Sequence, residues 1–343
     1  MNEDRVALEN LIGGFKLSSL VALAAKLRLA DHLSSGPRTA GELAALTSCH
    51  EDSLYRALRA LAGLGVVTEE LDRRFRLTPC GEYLRSDVPG SLKVAAEIVA
   101  ENWTWRPWGA LLHSVRSGET AFDHLFGEST WSWFSTNPEA AALFNQHMDV
   151  RTSADAEALL AAFDFFGIRT IVDVGGGQGS LLAAILRRHP GASGVLVNLP
   201  HVIESVNRNS FDDLGHRLEF ASGDFFHAVP DGADLYILKD ILHDWNDDQA
   251  QKILETCRAA MHPRSVLLVI EYLICPPNRH CAGKVVDIQM MVRTGGRNRT
   301  QEEFRDLFNR SGFGEFRLLR PDTGPDLLAV RCGKREGALS SAQ

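Results

Sequence analysis

At 343 residues with 45% hydrophobic side chains, the chain is longer than one ordinary compact domain and apolar enough to fill two real cores. Its formal net charge of −8 is spread along the sequence, which leaves no basic footprint for nucleic acid or an anionic membrane and favours a small, uncharged or cationic ligand. No signal-peptide pattern opens the chain and no apolar run approaches the roughly 18 residues of a membrane span, so a cytoplasmic location is expected; the six scattered cysteines lack a C-x-x-C pair and read as reduced thiols, with no zinc site or disulfide framework.

From Leu8 to about Leu33 apolar residues recur at helical spacing, and TAGELAALTSC and HEDSLYRALRALAGLGVV predict two further helices. Thr39 with Glu42 three residues on, and the run His50-Glu51-Asp52, supply capping-type starts. VVTEELDRRFRLT alternates around Asp72 as a small hairpin would. Helices followed by a β-ribbon make a winged helix-turn-helix, a motif that raises DNA binding. Basic and acidic residues balance between Lys26 and Asp87, however, and such a surface cannot neutralise a phosphate track. A packing or dimerisation role fits the Ala- and Leu-rich second helix pair better.

Residues 91–163 read as helices and hold Trp103, Trp105, Trp108, Trp131 and Trp133. With Phe134, Phe144 and Met148 these rings could line a pocket for a flat molecule, although an ordinary helix-bundle core gives the same pattern. From about Thr170 the rhythm changes to short apolar runs alternating with helical segments: TIVDVG, GVLVNL, RLEFASGD, ADLYILKD, SVLLVIEYL, FRLLR and DLLAVRC. That is the signature of a parallel, doubly wound sheet, with the last two runs predicted to pair as an antiparallel hairpin at one edge. The expected organisation is residues 1–100 as a winged-helix-type dimerisation domain, 101–163 as a helical connector contributing to the pocket, 164–333 as a Rossmann-like catalytic domain, and a disordered tail over 334–343.

DVGGGQG, Asp173 to Gly179, follows the first strand and opens a helix. Gly175, Gly177 and Gly179 let backbone N–H groups and a helix N-terminus approach a ligand, though a tight strand-to-helix turn with no ligand has the same look. At the end of the second strand, where such folds carry an acid for the ribose hydroxyls of an adenosyl cofactor, stands Asn198, followed by Leu199. The third strand ends in SGDFF, placing Asp224 and Phe225 to hydrogen-bond and cover an adenine ring, or else to cap and pack. KDILHDWNDD then puts Lys239, His243, Asp244 and Trp245 at the C-terminal end of a buried strand. Taken alone, His243 also reads as a helix cap or a surface residue.

This ordered set of motifs, DVGGGQG, the LP after Asn198, GDFF, LHDW, VIE, GGRNRT and a terminal SGF, resembles the S-adenosylmethionine-dependent small-molecule O-methyltransferases of plants and of bacterial antibiotic pathways, from about Leu8 to Cys332. The resemblance implies a homodimer formed through the N-terminal domain, S-adenosylmethionine over the glycine loop with S-adenosylhomocysteine as product, and a hydroxylated aromatic or polyketide-like acceptor from secondary metabolism. It makes His243 the general base, Glu271 the carboxylate that orients it, Asp244 and Asn298 its neighbours, and Lys239 a cofactor contact. Trp105, Phe144, Asn145, Met148, Trp245, Met290 and Met291 are then candidates for the acceptor pocket. No metal is expected. Two positions depart from the family pattern: Asn198, and Asn298 in GGRNRT where a second glutamate is common. The loss of that glutamate is expected to lower the histidine's pKa and leave Glu271 as its main partner. The family also contains repurposed members that hydroxylate, decarboxylate or catalyse pericyclic reactions without consuming the cofactor, which stands as the alternative.

Overall fold

The computed structural model describes residues 3–332 apart from residue 322; the tail expected from residue 334 lies outside the described residues. The chain forms two compact units that part between Arg106 and Pro107, so most of the helical segment expected as a connector belongs to the second unit.

In the first unit α1 (Glu3–Lys26) does not run on to Leu33. Arg28 takes a left-handed conformation (φ 52°), which breaks the helix, and α2 (Leu29–Leu33) restarts beyond it. After β1 (Arg38–Thr39), α3 (Ala40–Thr47) begins in a full capping box: the Thr39 hydroxyl accepts from Glu42 N (3.2 Å) while the Glu42 carboxylate accepts from Thr39 N (2.6 Å). The His50 ring caps α4 (Glu51–Gly63) by accepting from Ser53 N. β2 (Val67–Glu69) and β3 (Arg74–Leu77) form the expected hairpin, turned through Asp72 and Arg73 at positive φ. β1 joins them in the order β1-β3-β2, so this unit is not all-helical. Leu43, Leu58, Leu61 and Phe75 are fully buried at its centre, and α5 (Lys93–Val99) packs along α1.

The length and composition of α1 would suffice to cross a membrane, which corrects the expectation that no segment approaches that length. Its Leu8, Leu11, Ile12 and Phe15 are all exposed in the single chain.

In the second unit α6 (Asn102–Gly109) straddles the division and α7 (Leu111–Ser117), α8 (Ala121–Phe126), α9 (Thr130–Thr136) and the long α10 (Pro138–Ala162) follow. The sheet then builds from β4 (Thr170–Val174), β5 (Ser193–Asn198), β6 (Leu218–Ser222), β7 (Leu235–Lys239), β8 (Val266–Glu271), β9 (Phe313–Leu319) and β10 (Asp326–Cys332), in the order β6-β5-β4-β7-β8-β10-β9. The first five strands run parallel. β10 enters antiparallel between β8 and β9, so the expected edge hairpin exists, with its second strand on the inside.

Side-chain alternation sorts the strands into two cores. Val172, Val174, Tyr236, Leu238, Leu267 and Val269 face α13 (Asp247–Ala260) and α15 (Gln301–Arg310), whereas Ile171, Leu235, Ile237 and Leu268 face α11 (Ser180–Arg188) and the end of α10. The chain passes from β4 outward through α11 to β5 and through α12 (Pro200–Ser205) to β6, and later from β6 back across to β7. The C-terminal ends of β4 and β7 therefore flank the switch point, the place where open α/β sheets bind ligands. Leu267→Ala, which empties a fully buried position of this core, should destabilise the protein by about 2–5 kcal/mol in a urea titration; an unchanged midpoint would contradict the packing described.

Candidate active site

Gly175, Gly177 and Gly179 all sit at positive φ (72°, 58° and 87°), where a side chain would be strained. A Cβ on Gly175 would meet Ile241 at 2.6 Å, and one on Gly176 would fall 2.2 Å from the Asp173 carboxylate. Asp173 is buried, neither of its carboxylate oxygens has a hydrogen-bond partner among the described residues, and burial pushes its pKa up to about 7 against the pull of Lys239. Orphaned oxygens beside a bare glycine backbone suit a ligand that brings N–H donors or positive charge. Around this loop the Asn198 side chain accepts from Leu199 N (2.8 Å), and Asp224 accepts from Phe226 N (2.9 Å) with His227 Nδ1 2.9 Å away. The Phe225 ring lies 3.5 Å from where a Gly175 Cβ would stand.

At the end of β7 the backbone turns sharply. Asp240 adopts φ 54°, and the single 3₁₀ turn Leu242–Asp244 carries His243 inward, 5% exposed. Its Nδ1 lies 2.9 Å from Glu271 Oε2, and its backbone N–H donates to Glu271 Oε1 (3.2 Å). The ring and carboxylate are close enough for an ion pair but off the line of a hydrogen bond. Burial disfavours the imidazolium, yet Glu271, aided by Asp244 and Asp240, outweighs it and raises the pKa to about 9. An amide at 298 thus does not bring the ring below its ordinary value. Asn298 is itself buried and its Nδ2 donates to Tyr272 O (2.6 Å). Burial lifts Asp244 to about 6, against the pull of His243 and Arg293.

Asp240 is the other charge that this turn buries. Lys239 Nζ stands 2.6 Å away and Arg151 of α10 3.6 Å away; together with His243 they overcome its burial and hold its carboxyl well below the usual range. Asp240, His243 and Glu271 each present a possible ligand atom within 4.8 Å of the others, a cluster that the sequence did not betray, although Lys239 and Arg151 already engage Asp240.

The wall beside the turn comes from α9, α10 and α14 (Ala282–Arg293). Phe134 and Phe144 stack at 5.1 Å, Trp131 lies 6.0 Å from Phe144, and the Arg293 guanidinium stands 4.4 Å over the Phe144 ring. Burial, reinforced by Arg151 and Arg293, drives His147 down to about 4. Trp108 donates to Gln289, Met290 is buried, and Asn145, Met148 and Met291 are half-buried. Trp245 meets the Phe226 ring edge-on at 4.7 Å. Trp105 lies in the first unit, exposed and 6.0 Å from Phe15, and Trp103 of the same unit is buried. Arg151, His147, Arg293, Asp240 and Tyr272 escaped the sequence reading because only packing between distant segments brings them together.

One further expectation fails. Cys275 and Cys281 are joined as a disulfide, their Cα atoms 6.2 Å apart, because the intervening PPNRH loop turns back through Asn278 at φ 62°.

Fold and site together define an S-adenosylmethionine-binding methyltransferase: a doubly wound sheet, a glycine loop at its switch point, and a buried histidine–carboxylate pair at the next strand end. The comparisons narrow the class. An O-methyltransferase domain model matches residues 108–314 and an O-methyltransferase dimerisation domain model matches residues 9–87, and the chain belongs to this O-methyltransferase family. It is 37% identical to a phenazine O-methyltransferase of Lysobacter antibioticus, over 94% of this chain and 95% of that one. It is 39% identical to a mitomycin biosynthesis 6-O-methyltransferase of Streptomyces lavendulae, over 93% and 91%. A solved O-methyltransferase from neocarzinostatin biosynthesis, in complex with S-adenosylmethionine and 2-hydroxy-5-methyl naphthoic acid, superposes with a TM-score of 0.80 at 31% identity, covering 92% of this chain and 96% of that one.

The raised pKa of His243 ties stability to pH. A histidine held near 9 in the folded chain, against an ordinary 6.5, contributes stability that is fully present below the lower value and lost as pH rises through the higher. Urea titrations at about pH 6.5 and about pH 9.5 should show the native protein losing more stability across that window than His243→Gln does. Equal losses would mean that the buried ring carries no extra charge.

Proposed function

We propose that the protein methylates a hydroxyl group on a flat aromatic or polyketide-like small molecule, with His243 as general base and Glu271 holding the imidazole. The observation that carries this is the buried His243–Glu271 pair at the strand end beside the glycine loop. Asp173, the glycine loop, Asn198, Leu199, Asp224, Phe225 and Lys239 would hold S-adenosylmethionine, and the unpartnered oxygens of Asp173 fit its positive charge. When bound, that cofactor supplies a methyl group already activated for displacement.

The protein's own share is orientation and proton removal. Glu271 occupies the Nδ1 side of the ring, which leaves Nε2 to accept the acceptor's hydroxyl proton as the new O–C bond forms. A phenol with pKa about 10 needs that help, and holding the reacting atoms in line contributes several kcal/mol more. Phe144, Met148, Met290 and Trp131 supply an apolar wall suited to a planar ring, which agrees with the naphthoic acid in the solved relative. The reading in which the cofactor is spared draws no support from relatives named for methyl transfer.

We also infer a homodimer in solution. The chain carries the dimerisation domain, and the exposed apolar residues of α1 are what a second copy would cover.

His243→Ala should reduce methyl transfer to a phenolic acceptor at least about a hundredfold and abolish the rise of rate with pH that a base of high pKa imposes. Unchanged turnover would remove it from that role. Asn198→Asp should tighten S-adenosylhomocysteine about tenfold by calorimetry, because one carboxylate oxygen can keep the Leu199 N–H while the other reaches a ribose hydroxyl. Equal or weaker affinity in a well-folded variant would place Asn198 away from the ribose.

A further inference from the structure

Arg299 is the largest side chain buried below two per cent exposure, and nothing in the methyl-transfer reading uses it. A guanidinium removed from water costs several kcal/mol unless its donors are matched. Here four hydrogen bonds and an ion pair meet it. Nη1 donates to Leu242 O (2.9 Å) and Arg297 O (3.2 Å), Nη2 to Trp245 O (3.0 Å) and Nε to Asp247 Oδ1 (3.0 Å), while Nη2 also stands 2.9 Å from Asp247 Oδ1 as an ion pair.

The two carbonyls on Leu242 and Trp245 bracket His243 and Asp244, so the guanidinium grips both ends of the turn that carries the imidazole. Arg299 also reaches the other partner of the pair. Its backbone carbonyl accepts from Ile274 N (3.0 Å), three residues beyond Glu271, and the adjacent Asn298 donates to Tyr272 O. On the same segment, a Cβ on Gly296 would lie 2.1 Å from His243 O, so only glycine lets this strand of chain press against the turn.

We propose that Arg299 is a positioning residue for methyl transfer: by tying the Leu242–Trp245 turn to the chain leaving β8, it fixes the His243 ring against Glu271. The inference rests on His243 being the base. Arg299 touches no reacting atom in this scheme and acts through two backbone carbonyls. A lysine keeps the charge but offers a single point in place of the planar fork, and cannot serve these four acceptors in their several directions.

The test uses the full-length dimer with a phenolic acceptor that the wild type methylates. Arg299→Lys should lower kcat about ten- to a hundredfold, as expected for a misplaced catalytic group, while KM for acceptor and affinity for S-adenosylhomocysteine stay within about twofold of wild type. It should also move the inflection of the kcat–pH profile to lower pH, because a ring that drifts from Glu271 loses the contact that raises its pKa. Asp247→Asn weakens the same clamp from a part-exposed position and should shift the profile the same way by a smaller amount, deciding the matter if the lysine variant does not fold. Folded variants that keep the wild-type profile, or lose kcat with the inflection unmoved, overturn the proposal while His243→Ala remains inactive. Full turnover by His243→Ala would instead overturn the base assignment, and this proposal with it.

Discussion

A histidine and a glutamate buried face to face at the ends of two adjacent parallel strands are the constraint around which the second unit is organised. The register that sets Lys239 opposite Ile270 also sets the end of β7 beside the end of β8, one residue before Glu271. For the ring to reach that carboxylate, the chain after β7 must reverse within a few residues. Asp240 does this at φ 54°, in the left-handed region that aspartate visits more readily than most non-glycine residues. Asp240 N donates to Ile270 O, and its carboxylate is held by Lys239 and Arg151. The turn and the buried charges are thus held by the same contacts.

The charges form nested pairs, which is why the site tolerates so many. Glu271 answers His243, Lys239 and Arg151 answer Asp240, and Arg293 pulls on Asp244 while resting on the Phe144 ring. Asp173 differs. Lys239 attracts it, but among the described residues neither of its oxygens is hydrogen-bonded, and its pKa rises toward neutrality. A folded chain rarely leaves such a group unmatched without a ligand to match it, and the open glycine backbone beside it is the approach that a ligand would use.

Much of this was legible in the sequence where the information is local. The capping box at Thr39, the positive-φ glycines after β4 and the alternation of the buried strands each depend on residues a few positions apart, and each took its expected form. The charged members of the site contributed by α10 and α14 were not legible, although Phe144, Asn145, Met148, Met290 and Met291 on the same helices were. Arg151 and Arg293 lie on helices that look ordinary until tertiary packing sets them against Asp240 and Asp244. Tryptophan density along the chain likewise does not say which unit each ring will join: Trp105 falls in the first and Trp108 in the second. The Cys275–Cys281 link depended on a loop conformation that spacing alone does not specify.

The two amides found where the resemblance led to an expectation of acids, Asn298 and Asn198, are held differently. Asn298 uses its amino group, donating to Tyr272 O immediately after Glu271. A carboxylate could not make that bond, so the amide serves as a tether on the chain leaving β8, and the imidazole keeps a raised pKa through Glu271 with Asp244 and Asp240. Asn198 uses only its oxygen, accepting from Leu199 N. An aspartate would accept that bond equally well and retain a second oxygen, so nothing in the local geometry demands the amide. The first amide is built into the hydrogen bonding of the site, whereas the second makes no bond that an aspartate could not make.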